Sequence, residues 1–461
     1  MLNSQANIYM NTKNTSLRIH VKHQLNGKLY ILLAMFVCCF TTACSTLSGE
    51  GDNKLRIPQS PLLRSIERKS GIIAYVGIDG NIYTMDQAGK NVVQLTSDST
   101  TNEDKVLYYT HVTWAPNGSQ IAYVSYTGSN TQTMEAHLYV SDASGANTKE
   151  VFASDRMIPI FLYWSPNSKS LAFLATQTDG NSGILHLSLL DGEDPMILDS
   201  GQPLFWAWSP SSKRLLIHSN GADYDSRLSY LYLGETIVEE SLPVTPASFQ
   251  APAFSPNGDE IMYVGTTENE ESSIIKLNRL DNRSKTLAAV KGQVAFEYSP
   301  SGKHVAYIDS NNSSSAWISG TLSVMNTHGP NPQTLTNIGD NVIAFFWSPN
   351  GEKIAYFRSV VAQEEIDGVI EQYSYLELHI LSIIDGTSIN LFSFVPSELF
   401  AALLPYIDQY QRTFTIWSPD SQYLALSAYT EQGPAIVVAQ AESSFEPRIL
   451  EFGMLPVWSW K

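Results

Sequence analysis

Short apolar strands recur along the chain at one fixed distance from a turn. The cleanest copy is Trp347-Ser348-Pro349-Asn350-Gly351-Glu352-Lys353-Ile354-Ala355-Tyr356. Aromatic positions at Trp114, Trp164, Trp208, Phe254, Tyr298, Trp347 and Trp417 each precede a Ser-Pro or Ala-Pro pair. Seven residues after each aromatic an apolar run begins, at Ile121, Leu171, Leu215, Ile261, Val305, Ile354 and Leu424. The aromatic ends one predicted strand, and the proline pre-sets the backbone angle that a turn needs at its second position. Asn, Asp or Ser and then Gly or Ser follow, residues that bond locally or accept left-handed backbone. The apolar run is the second strand. A third strand ends near Asp or Asn (Asp86, Asp142, Asp191, Asp281, Asn326, Asp385), and a short fourth closes the unit.

Four short antiparallel strands at a period of mostly 44 to 50 residues predict an all-β fold, a β-propeller. One such unit cannot bury both faces alone, so units stack around an axis and the large aromatic fills the contact.

The aromatic-Ser-Pro-Asn/Asp-Gly turn followed by Ile-Ala-Tyr resembles the repeats of TolB-type β-propellers, over roughly residues 71 to 461. The family also carries an α/β domain before its propeller. Residues 45–70 are too few to supply one.

The first unit begins at Gly71 with Ile73-Ala74-Tyr75 and lacks its Trp-Ser-Pro strand upstream. Leu455-Pro456-Val457-Trp458-Ser459-Trp460 has the form of that missing strand. Closure by this tail predicts eight blades, with seven as the alternative. In a competing register residues 61–66 supply the strand, because Ile66 lies seven residues before Ile73. Unit seven is longer than the others. Trp347 to Trp417 spans 70 residues, against 41 to 50 elsewhere. The excess, about 359–411, reads as an extended hairpin turning at Asp367-Gly368 and a helix capped by Ser397. The hairpin tip is acidic (Glu364, Glu365, Asp367, Glu371). The helix gathers Leu399, Phe400, Leu403, Leu404 and Ile407 on one face, and Pro405 should kink or end it. The acidic tip with Leu399, Phe400 and Leu403 is the candidate partner surface. The competing expectation is a helix that packs onto the ring as a lid.

Residues 1–43 read as an export signal: a basic stretch, the apolar run Leu29 to Phe40, then Thr41-Thr42-Ala43-Cys44. The ending resembles a bacterial lipoprotein signal, with Thr41 where that motif usually has Leu. The resemblance implies cleavage before Cys44 and lipid attachment to its sulfur. Residues 44–70 read as a flexible linker. Cys38 and Cys39 fall inside the apolar run, so processing leaves Cys44 alone, and no internal disulfide or cysteine metal site is expected.

Net charge is −17, and −21 without residues 1–44. This disfavours nucleic acid as a partner. No Gly-x-Ser-x-Gly elbow, phosphate loop or His-x-x-x-His motif occurs. His137 and His186 hold equivalent places, each five residues before a strand-ending Asp, and read as ordinary polar strand positions. No catalytic, cofactor or metal residue is therefore assigned. The expected role is a non-enzymatic, exported, membrane-anchored module of the cell envelope that binds protein or a small ligand or glycan. The alternative is a carbohydrate-active lyase or hydrolase working in the central pocket.

Overall fold

The strand pattern is realised in the computed structural model, which describes residues 70–102, 105–129, 132–177, 183–188, 190, 194–220, 226–247, 250–266, 271–310, 318–327, 334–366, 369–442 and 446–461. The readings placed on 1–43, on Cys44 and on the linker, Ser70 apart, lie outside the described residues, as does Asp367.

The third, fourth and fifth units each form a separate four-stranded antiparallel sheet. In the third, Met157–Trp164, Leu171–Gln177, Gly183–Ser188 and Met196–Gly201 are paired in succession. In these three sheets the strand that ends in the aromatic is at one edge. The Ile-Ala-Tyr strand is next to it and is covered on both sides: Ile121, Ala122, Ile354 and Ala355 are wholly buried. Burial on both faces explains why this strand is continuously apolar.

Three sheets hold more than four strands, and in two of them one strand serves two units. Thr334–Trp347 pairs through its first part with Gly320–Asn326 and through Val342 to Trp347 with Lys353–Ile366. Arg448–Trp458 does the same. Its first part pairs with Gly433–Gln440, and its second part pairs with Ile72–Gly77, with Trp458 opposite Ile73. The tail therefore stands beside the first strand of the first unit.

Neighbouring units are joined by two repeated contacts. The Trp indole of one unit donates to the backbone carbonyl just before the aromatic of the preceding unit. Trp114 reaches Val457 at 3.1 Å, Trp208 reaches Tyr163 at 3.0 Å and Trp417 reaches Phe346 at 3.0 Å. The second contact lies at the turns. Their fifth residue is left-handed, with φ near 60° at Ser168, Ser212 and Ser421 and 72–76° at Gly118, Gly258, Gly302 and Gly351. Where it is Ser, its hydroxyl accepts the N–H that follows the proline of the preceding turn: Asn117 to Ser168, Asn167 to Ser212, Asn350 to Ser421. Where it is Gly258, Gly302 or Gly351, the preceding proline packs against it.

Candidate functional site

The long unit decides what the axis holds. Its two long strands are Lys353–Ile366 and Val369–Ser382. Ser397 then opens the helix Glu398–Leu403 (α1), its hydroxyl accepting from the Phe400 N–H. Pro405 breaks the helix into one 3-10 turn, and a short second helix, Ile407–Tyr410 (α2), follows. A proline inside a helix removes one backbone donor and clashes with the preceding turn, which accounts for the break.

This insertion turns inward. Phe400 is 1% exposed and packs among Phe357, Phe394 and Phe414. As a partner-surface residue Phe400 is corrected: an apolar helix face beside apolar strand edges is buried against them. Leu399 and Leu403 are half-buried and line a cavity instead.

Residues 408–415 touch the aromatic-bearing edges of several units. The Asp408 carboxylate accepts the Ala251 N–H at 3.0 Å. The Tyr410 hydroxyl donates to the Ile160 carbonyl at 2.6 Å, and its ring stands edge-on to Phe161. Gln411 donates to the Phe296 carbonyl. Arg412 pairs with Glu297 at 2.6 Å and donates to the carbonyls of Pro252 and Ala251. The Thr113 hydroxyl reaches the Thr413 carbonyl, and the Trp458 N–H donates to the Thr415 carbonyl. The aromatic-bearing strands of units one, two, three and six, and the residues just before that of unit five, thus converge on one stretch of eight residues. It is a plug at the axis.

Between plug and ring lies a cavity of about 110 Å³, lined mainly by apolar groups with His111 among them. His111 sits at a bulge, where the pairing register shifts between Thr110 and Thr113, with φ 53°. Its Nδ1 is buried without a partner, and loss of water pulls the imidazole down to about 4. The Asp408 carboxyl moves the other way. Burial pushes it up to about 6, against the lowering effect of the Ala251 N–H and of Arg412. The nearby hydroxyls of Tyr410 and Thr113 donate to carbonyls rather than to His111 Nδ1.

His137 and His186 are not brought together. The first bonds Glu150 at 2.9 Å, and the second stacks on Phe173 with its Nδ1 on the Ile184 carbonyl. Asp408, Tyr410, Gln411 and Arg412 were not singled out in the sequence. The only available signal was a polar run, Asp408 to Arg412, directly after the apolar helix face.

The hairpin goes outward. Pairing of Lys353–Ile366 with the strand before it stops at Arg358, and pairing of Val369–Ser382 with the strand after it stops at Leu376. The two long strands pair with each other on to Ile366 opposite Val369. From Ser359 to Tyr375, among the described residues, they form a two-stranded ribbon with both outer edges unpaired. Val361 and Tyr373 on it are exposed. Glu364 and Glu371 are cross-strand partners near the tip.

No family model matches the chain. The peptidase YuxL of Bacillus subtilis (strain 168), described as uncharacterized, is 30% identical over 132 residues, which are 27% of this chain and 20% of the relative. The match therefore spans about a fifth of that protein. Among solved structures, TolB from Acinetobacter baumannii is 15% identical with a TM-score of 0.34, covering 77% of this chain and 82% of its own. The β-propeller domain of the Trilobed protease from Pyrococcus furiosus is 11% identical with a TM-score of 0.42, covering 75% and 97%. The fold is a β-propeller with TolB-like repeats.

Proposed function

We propose that this chain is a non-enzymatic interaction module of the cell envelope, exported and held at the membrane by lipid on Cys44. In this reading the propeller has eight blades and is closed by the tail strand. The ribbon Ser359 to Tyr375 is the surface that engages an extended segment of an envelope protein.

The observation that carries the reading is the division of the insertion. One half fills the axis, where a propeller enzyme would place its pocket. The other half projects two bare strand edges. A bare edge is a template for one more strand, with backbone bonds for affinity and alternate side chains for selection. The cavity left beside the plug is small against the roughly 300–1,000 Å³ of ordinary ligand sites, which weighs against a glycan in the axis. The pairing of the tail with Ile72–Gly77 and the turn contacts between successive units support eight closed blades.

The test is crosslinking in intact cells, followed by mass spectrometry, with the full chain and with residues 361–373 replaced by a two-residue turn. A reproducible envelope partner crosslinked within 355–380 and lost in the short variant is expected, together with a lipid-modified N-terminal peptide at Cys44. Equal recovery of partners by both proteins would remove the ribbon from the reading.

A second reading follows from the name of the YuxL relative. Part of this chain would then serve a peptidase. Cleavage of a peptide library by the purified full chain, abolished by peptidase inhibitors, would favour it.

A further inference from the structure

The seam between the fourth and fifth units carries two arginines. The turns of the two units enclose a polar cleft of about 180 Å³. Arg214 and Arg279 enter it from the two sides. Both guanidinium groups lie within 6.0 Å of the same ring, that of Tyr230. Arg214 also lies over Tyr232, and Arg279 over Phe254. Cation and ring thus alternate across the seam, which fixes both planar groups in place.

Neither guanidinium has a carboxylate partner among the described residues. This is unusual in a chain with 45 acidic and 28 basic residues. Arg227, Arg283, Arg358 and Arg412 each meet at least one carboxylate. Among the described residues the buried Nε of Arg214 and that of Arg279 have no acceptor, while Arg279 Nη1 donates to the Gly258 carbonyl. The one carboxylate lining the cleft, Asp259, accepts from the Asn257 side chain at 2.8 Å.

The turn supplies a further donor. At four other seams the N–H after the proline donates to a Ser hydroxyl of the next unit, as at Asn117 and Ser168, whereas the seams at Gly302 and Gly351 carry glycine there, as this one does. Here the donor is Ser211 and the facing residue is Gly258, which has no hydroxyl. The Ser211 N–H therefore has no acceptor among the described residues. Two held cations, an idle backbone donor and the hydroxyl of Ser211 all border one small space.

We propose that this cleft binds a tetrahedral oxyanion, phosphate or sulfate, whose oxygen takes the place of the missing serine hydroxyl. Planar guanidinium groups pair with such anions through two parallel bonds, and a fixed backbone N–H adds a third contact. Asp259 leaves the site with a net charge of one positive unit, which suits a single small anion rather than a polyanion.

Inorganic phosphate is titrated into the full chain by calorimetry, with ionic strength held constant by sodium chloride. One saturable site is expected. Arg214→Gln with Arg279→Gln should weaken it about ten-fold or more. Gly258→Ser is the sharper variant. It keeps both arginines and supplies the hydroxyl that serves the serine-bearing seams. Its Cβ would meet Pro210 Cδ at 3.5 Å, an ordinary contact. It should weaken phosphate binding to the same degree, while the strain of a side chain at φ 76° is offset by the new hydroxyl bond, so that the protein stays folded and melts within a few degrees of wild type. Sulfate should compete and acetate should not. Absence of saturable binding in the wild-type protein, unchanged affinity in both variants, or acetate binding as tightly as phosphate would each overturn the assignment.

Discussion

The guanidinium of Arg412 and the carboxylate of Glu297 meet at 2.6 Å, although 115 residues separate them in the chain. Arg412 is almost wholly enclosed, and its remaining donors go to the Pro252 and Ala251 carbonyls. Removing one member of such a pair leaves a charge and two carbonyls without their partner. Arg412→Ala should cost about 3–5 kcal/mol in urea unfolding. Arg412→Lys should recover only part of this, since an ammonium cannot serve three acceptors in that planar arrangement. A loss below about 1 kcal/mol, as at an exposed pair, would mean that the plug is not held by this contact.

His111 and Asp408 make opposite contributions to pH dependence. The Asp408 carboxyl is raised from 3.8 to about 6 in the fold. Its contribution is fully present below about pH 4 and is lost as pH rises through 6. His111 is lowered from 6.5 to about 4. Its contribution is present above pH 6.5 and is lost as pH falls through 4. Each is worth at most about 3 kcal/mol. Relative to wild type, Asp408→Asn should gain stability as pH rises from 4.5 to 7. His111→Asn, which tolerates the left-handed backbone, should lose it. Denaturant curves at four pH values check this, and slopes of the same sign would refute it.

The serine at the left-handed turn position does two things. Ser168 holds φ at 60° and accepts the Asn117 N–H at 3.0 Å. Ser168→Gly removes the bond and relieves the backbone, at an expected net cost of about 1 kcal/mol or less. Ser168→Ala removes the bond and keeps the strain, so it should cost about 1 kcal/mol more. Thermal unfolding of both variants orders them. An alanine variant as stable as the glycine variant would contradict the account.

Trp114 and Trp458 are equally buried, but only Trp114 has an acceptor for its indole N–H, the Val457 carbonyl. The Trp458 Nε1 has none. Trp114→Phe should therefore cost about 1 kcal/mol more than Trp458→Phe, which removes a buried, unserved donor. Trp458→Ala should cost about 3–5 kcal/mol, because it empties the core beside Ile73. Equal losses for the two Phe variants would show that the indole bond at Val457 contributes nothing.

What could be read from the residues alone was what repeats. The constant offset from Trp347 to Ile354 marked the strand–turn–strand unit. The length of the unit marked two long strands, whose Ile366 stands opposite Val369, and Trp458 marked the strand that stands beside Ile73. These signals are local or periodic. The plug was legible only as a helix with an apolar face. Its destination depends on Ala251, Ile160 and Phe296, which lie 100 or more residues away and carry no pattern pointing to Asp408 or Arg412. The Arg214–Arg279 cleft was hidden for a similar reason. Each arginine is unremarkable in its own unit, and only the stacking of two units puts both over Tyr230.

The Ile72 N–H donates to the Ser459 hydroxyl at 2.9 Å across 387 residues of chain. A ribosome adding roughly 5–20 residues per second needs about 20–80 seconds to cover that distance. Throughout that interval the Ile72–Gly77 edge has been synthesised and has no partner. A nascent chain of this kind offers its first strand to any neighbour on the same message. Holding chaperones, or passage across a membrane before folding, would protect the interval. The strand Arg448–Trp458 therefore acts as a timer, and slower translation of the stretch before it should appear first as aggregation rather than as loss of a finished protein.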